Sequence, residues 1–179
     1  TTGGVSVGTF DFVKEAFAVV GGDIDFWKVS MKPGKPLAFG RLARAPRPGR
    51  LPVVPLFGLP GNPVSCMVNF HQFVRPWLLR SMGVAQPFLP VVDAIATEGW
   101  VERPGRATLV RVTLAQHPDG VLRCAPTGTQ SSGALGSMAR AHGLLLVAAT
   151  RPGVAAGDRV RVQLLDPSFL DRSDPGYGW

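Results

Sequence analysis

The chain has 179 residues, 45% of them hydrophobic and 17% charged, enough apolar material for one large or two small domains and too much for a disordered chain. Its longest apolar run, Leu144 to Ala149, is far too short to cross a bilayer. Nineteen basic residues against twelve acidic ones give a net charge of +7, which admits nucleic acid, an anionic membrane or a small anion as partner. The fifteen arginines are scattered singly, with no polybasic run and no aromatic platform of the RNA-binding kind, which argues against nucleic acid and membrane. All four lysines lie within the first 35 residues, and Lys28, Lys32 and Lys35 fall within eight positions. Cys66 and Cys124 have neither the number nor the spacing of a disulfide framework or a zinc site, so a reducing, cytoplasmic setting is expected.

Gly3, Gly4 and Gly8 open the chain around Val5-Ser6-Val7, and Asp11 to Val20 follows with Val13, Ala16, Phe17 and Val20 on one helical face. Gly21-Gly22 ends that helix. Ile24 to Met31 reads as a strand, Pro33-Gly34 as a turn, and Leu37 to Leu42 as the next strand. After a Pro/Arg/Gly loop at Arg44 to Arg50, the apolar run Val53 to Leu59 reads as a buried strand and leads into Pro60-Gly61-Asn62-Pro63. Asn62 as N-cap and Pro63 at the first helical position predict a helix to Gly83, with Val64, Met67, Val68, His71, Val74 and Leu78 at helical spacing and Pro76 bending its last turns.

Pro87 and Pro90 mark a linker. Beyond it the pattern is β, with strands expected at Val91 to Thr97, Ala107 to Ala115, Val121 to Ala125, Leu144 to Ala149 and Arg159 to Leu165. The expected organisation is an α/β domain over 1–87, a small all-β, barrel-like domain over 88–166 and an extended or frayed tail over 167–179. A glycine loop that feeds a helix normally hangs from a preceding strand, and nothing precedes Thr1, which points to a chain trimmed from a longer polypeptide.

Several residues carry chemistry on their own. Glycines at 3, 4 and 8 let backbone N–H groups approach an anion, with Thr2 and Ser6 as hydroxyl donors; a merely tight strand-to-helix turn reads the same way. Asp11 complements a helix dipole, and beside a phosphate-bearing ligand it makes sense as a holder of a divalent cation. Three lysines around a rigid Pro-Gly turn repel one another unless an anion sits among them, although solvated surface lysines are the plain alternative. Pro60-Gly61-Asn62-Pro63 with Ser65 is helix-start chemistry that also makes an anion-binding edge. Arg111 falls mid-strand in phase with Leu109 and Thr113, a position open to a solvated sheet residue. His71, His117 and His142 share no ligand spacing, and Cys66 reads as core.

Taken together, Thr1-Thr2-Gly3-Gly4-Val5-Ser6-Val7-Gly8 with Asp11, Phe26-Trp27-Lys28, Met31-Lys32-Pro33-Gly34-Lys35-Pro36-Leu37-Ala38-Phe39-Gly40 and Gly58-Leu59-Pro60-Gly61-Asn62-Pro63-Val64-Ser65 resemble the molybdopterin molybdenumtransferase family, to which the C-terminal domain of gephyrin also belongs. Arg103-Pro104-Gly105-Arg106, Ser131 to Gly143 and Ala156-Gly157-Asp158 look more loosely like its C-terminal β domain. The resemblance implies a truncated three-layer, MogA-like molybdopterin-binding domain followed by the β domain. It implies a transferase that takes adenylylated molybdopterin (molybdopterin-AMP) and molybdate, inserts molybdenum and releases AMP with Mg²⁺ or another divalent metal, in a homodimer of the full-length protein. By the same matching, Asp11, Lys28, Lys32 and Lys35 are the catalytic candidates, with Asp11 also the metal ligand. Thr2, Gly3, Gly4, Ser6, Gly8, Pro60, Gly61, Asn62, Pro63, Ser65, Arg111 and Ser132 are the cofactor-binding ones. A non-catalytic, gephyrin-like scaffold and a generic nucleotide- or anion-binding module are the alternatives.

Overall fold

Helix α1 (Val13–Val19) gives way at Gly21, which takes φ +74°, and strand β1 (Gly22–Trp27) follows at once. The computed structural model describes residues 13–45, 47–49 and 52–170. The expected apolar stripe of α1 is not buried among these: Phe17 is half-buried, while Ala16 and Val20 are exposed. By contact the chain divides into two units, residues up to Pro87 with Ser131–Leu135, and Phe88–Gln130 with Gly136 onward.

In the first unit, β1, β3 (Ala38–Ala43) and β4 (Val53–Gly58) form an antiparallel sheet with β3 in the centre. The predicted strand to Met31 stops at Trp27, and only Met31–Lys32 (β2) is extended again. Register sets Phe26 opposite Phe39 and Phe39 opposite Phe57, so the rings pack across the strands, the first pair stacked and the second tilted, with centroids 5.6 and 5.1 Å apart. Alternation puts Ala38 and Gly40 on the other face of β3, and both are buried.

The helix expected after β4 runs as α2 (Pro63–Asn69), a π turn (Phe70–Val74) and α3 (Arg75–Ser81). Pro76 was expected to bend the last turns. Instead the widened turn lies directly before it, where a ring that cannot donate and that crowds the carbonyl of Gln72 is accommodated by looser winding. The buried side of α2 is Val64, Ser65, Val68 and Asn69, and Met67 and Leu78 of the anticipated stripe are exposed. Trp77 of α3 meets Phe57 at 6.0 Å and continues the aromatic row.

The second unit holds a closed five-stranded barrel of β7 (Ala107–Gln116), β8 (Leu122–Pro126), β5 (Val91–Ala96), β11 (Arg159–Leu164) and β9 (Gly143–Val147), in that order, with β9 returning to β7. All five strands were legible in the sequence. The pair β6 (Trp100–Val101) and β10 (Gly153–Val154) and the short helix α4 (Leu135–Ala139) were not. Ala94, Val110, Val112, Leu145, Val162 and Leu164 are among the side chains filling the barrel. The segment from Pro167 is not frayed at its start: Pro167–Leu170 forms a 3₁₀ turn, and Phe169 packs on the core and lies 4.9 Å from the His142 ring. The expectation for 171–179 lies outside the described residues.

This packing has measurable consequences. A Cβ at Gly143 would stand 2.5 Å from Val162 Cγ1 and 2.7 Å from Gln163 O, so Gly143→Ala is expected to destabilise the barrel by about 1–3 kcal/mol. Gly133→Ala, with nothing within 4 Å of its Cβ, should change urea unfolding by less than about 0.5 kcal/mol. Burial pushes the Cys124 thiol up to about 11, so at pH 8 the native protein holds about one thiolate in a thousand at that site. A thiol reagent should leave Cys124 unmodified until the protein unfolds. The neutral thiol's contribution to stability is complete below the ordinary thiol pKa and is lost as pH rises from about 9 through about 11.

Candidate functional site

Strand β1 ends at Trp27, and the next residue, Lys28, holds φ +76°. A non-glycine residue keeps a left-handed backbone, at a cost of about 1–3 kcal/mol, only where its surroundings impose it. Here they are main-chain bonds: Lys28 N donates to Leu37 O at 2.8 Å and Val29 N to Lys35 O at 3.0 Å. These two bonds close one loop that carries Lys28, Lys32 and Lys35. Lys28 and Lys35 are exposed and Lys32 is half-buried. The Lys28 ammonium sits 3.9 Å from the centroid of the Trp27 ring, a cation–π contact that biases the position of a long, mobile side chain.

The tip of the loop is fixed from the helix. Asn69, the last residue of α2, is fully buried, and its Nδ2 donates to Gly34 O at 3.1 Å and Pro36 O at 3.4 Å. Gly34 takes φ +111°, and a Cβ there would lie 2.8 Å from both Asn69 Oδ1 and Met31 Cε. Only glycine lets the turn approach this closely.

The start of the same helix departs from expectation. The Asn62 side chain makes no capping bond, although its main-chain oxygen accepts from Cys66 N at 2.9 Å. Its Nδ2 donates instead to Ser132 Oγ at 3.1 Å, and Val64 N donates to Ser132 O at 3.2 Å. A helix leaves its first N–H groups without internal partners, and a segment 70 positions away in sequence supplies one acceptor. Pro60 is buried, Gly61, Asn62 and Pro63 are exposed, and Ser132 is half-buried. Ser65, expected in the first turn as part of an anion-binding edge, is buried at 4% exposure.

Arg111 is not a solvated sheet residue, because both faces of the middle of β7 are covered and its exposure is 0%. Its Nε donates to Ser137 Oγ at 2.7 Å and its Nη2 to Thr129 O at 3.2 Å. Its main-chain N–H reaches Gln130 Oε1 at 2.9 Å, and its carbonyl accepts from Thr127 N and Gln130 Nε2 at 3.0 and 3.1 Å. Desolvation lowers the guanidinium pKa. The observed bonds make Arg111 an organiser of the segment that follows β8.

Lys28, Lys32, Lys35, Pro60, Gly61, Asn62, Pro63, Ser65 and Ser132 thus belong to the first unit and Arg111 to the second. Thr2, Gly3, Gly4, Ser6, Gly8 and Asp11 lie outside the described residues. Among the described residues no group of three or more His, Cys, Asp or Glu comes together to hold a metal. Asn69 was missed, and its signal was a carboxamide on the stripe made by Val64 and Val68; Ser137, Thr129 and Gln130 gave none.

Residues 1–80 match the family model described as a probable molybdopterin binding domain, and residues 93–165 match the MoeA C-terminal region, domain IV. The chain is 35% identical over 164 residues to a molybdopterin molybdenumtransferase of Haemophilus influenzae, covering 91% of this chain and 38% of that protein. It is 36% identical over 167 residues to molybdopterin molybdenumtransferase 2 of Mycobacterium tuberculosis, covering 90% and 38%. A solved molybdopterin biosynthesis MoeA protein of Pyrococcus horikoshii superposes with a TM-score of 0.66 at 26% identity, covering 87% of this chain and 35% of that one. The chain belongs to the molybdopterin molybdenumtransferase (MoeA) family and spans about two fifths of the length of these curated relatives. No helix among the described residues is long and apolar enough to cross a membrane.

The arginine network yields a stability test. Ser137→Ala removes an acceptor from a buried, charged donor, and a loss of about 1–3 kcal/mol in urea unfolding is expected.

Proposed function

We propose that the protein bearing this chain acts in molybdenum cofactor assembly, inserting molybdate into adenylylated molybdopterin and releasing AMP, and that the first unit holds its oxyanion and pterin site. The observation that carries this reading is convergence. The Asn69 bonds tie the lysine loop to α2, and the Asn62 and Val64 bonds tie the start of α2 to Ser132, so three distant stretches form one connected structure inside one unit.

In this reading Lys28 and Lys32 neutralise the tetrahedral dianion and Lys35 assists. Catalysis is then mostly alignment of two polyanions that repel each other in water. The glycine loop of Thr2, Gly3, Gly4, Ser6 and Gly8 takes the adenylylated phosphate through backbone donors, and Asp11 takes the divalent cation. The exposed Gly61-Asn62-Pro63 edge and Ser132 border the pterin. Arg111 acts through the segment after β8 instead of touching phosphate, because its guanidinium is buried and bonded within the barrel unit. We assign residues 1–87 as the molybdopterin-binding domain, 88–166 as the β domain and 167–179 as a tail, in a cytoplasmic homodimer of the full-length protein.

Removal of either leading charge should weaken molybdate binding by about ten- to a hundredfold, the scale of a charge-assisted hydrogen bond of about 1.5–3 kcal/mol. Calorimetry on the intact protein carrying Lys28→Ala or Lys32→Ala tests this, with the exposed Arg159→Ala as control. Adenylylated molybdopterin should bind the lysine variants nearly as the parent. Unchanged molybdate affinity in both would show the cluster to be a solvated surface.

A further inference from the structure

The amide of Asn69 does what no lysine can do for itself. A lysine side chain has four rotatable carbons and loses roughly 2 kcal/mol of rotamer freedom when held, so where its ammonium can reach is decided by where its backbone is fixed. Lys32 and Lys35 flank Pro33-Gly34, and the carbonyls on this turn, Gly34 O and Pro36 O, both point at one donor, Asn69 Nδ2. That donor is itself at 0% exposure on a helix face with Val64 and Val68, also at 0%. Its partner oxygen closes against Gly34 so tightly that a single added carbon would collide at 2.8 Å. A neutral carboxamide at this depth has no access to solvent and no charge to offer an anion.

We infer that Asn69 is a positioning residue for the oxyanion site: through its two bonds to the turn it fixes the backbone from which Lys32 and Lys35 reach a bound tetrahedral dianion. The inference rests on the assignment of the lysine loop to molybdate. Buried donors to two carbonyls rigidify a turn in one arrangement, and the benefit appears as affinity for the anion because less loop and side-chain freedom is lost on binding. The same clamp acts weakly on the adenylylated pterin, whose proposed contacts lie on other segments.

The test compares Asn69→Ala and Asn69→Thr in the intact protein, with unfolding midpoint, molybdate affinity and adenylylated-molybdopterin affinity measured for each. Asn69→Ala removes both bonds, and molybdate affinity is expected to fall about tenfold while pterin affinity changes by less than about twofold. Asn69→Thr keeps one hydroxyl hydrogen, one bond nearer the helix than the amide nitrogen, and should show the same selective loss of molybdate affinity, no larger than that of Asn69→Ala. A purely structural role predicts a different pattern: molybdate and pterin affinity would fall together, in step with the unfolding midpoint, and that result overturns the inference. If Asn69→Ala does not fold, Asn69→Thr alone decides, through the ratio of its molybdate loss to its pterin loss. The Lys32→Ala variant separates this inference from the assignment beneath it. Weakened molybdate binding in Lys32→Ala with parental binding in Asn69→Ala defeats the positioning role alone, and parental binding in both Lys28→Ala and Lys32→Ala defeats the molybdate assignment.

Discussion

One buried carboxamide holds together what the rest of the first unit presents. Asn69 joins the lysine loop to the helix that begins at Pro63, and Gly34 is glycine because the helix sits too close for any side chain. The constraint propagates backwards along the chain. With the turn carbonyls held by Asn69, Val29 N and Lys28 N close the loop against Lys35 O and Leu37 O, and Lys28 is left in a left-handed backbone at the end of β1. The early end of β1 and the strained lysine are two expressions of one loop closure.

Helix capping works by a similar logic in the opposite direction along the chain. Asn62-Pro63 is a strong local signal for a helix start, and the helix does start there. The local pattern predicts self-capping, because the Asn62 side chain is the nearest acceptor in sequence to the first helical N–H groups. The structure uses Ser132 instead, which frees the Asn62 amide to bond Ser132 Oγ and places a serine from the second half of the chain against the first unit.

The split between what the sequence revealed and what it concealed follows from contact range. Turn chemistry and local patterning were enough to find all five barrel strands to within a residue or two, because Val160, Val162 and Leu164 alternate with polar residues along β11 and β5 is a short apolar run bounded by Pro90 and Gly99. The lysine loop and the proline-bounded helix start were legible as motifs for the same reason. What stayed hidden depends on partners far away in sequence. Alternation gave Arg111 the phase of a sheet surface, yet Ser137 and Thr129 come back over β7 and bury it. Asn69 draws its role from a turn 35 positions earlier, which local patterning does not show. Phe169 turned a presumed tail into a plug on the barrel.

The division of labour at the lysine loop also explains why lysine suits these positions. A guanidinium carries its specificity in its own planar fork and pairs with two oxygens in one geometry. An ammonium is a compact point charge with three rotatable donors, indifferent to the orientation of a tetrahedral anion. Directional information must then come from the backbone beneath it. In this chain it does: two main-chain bonds close the loop, one buried amide pins its tip, and one aromatic ring underlies the Lys28 ammonium. A rigid frame with mobile charges accommodates a tetrahedral anion in more than one orientation, whereas a rigid fork favours a single one.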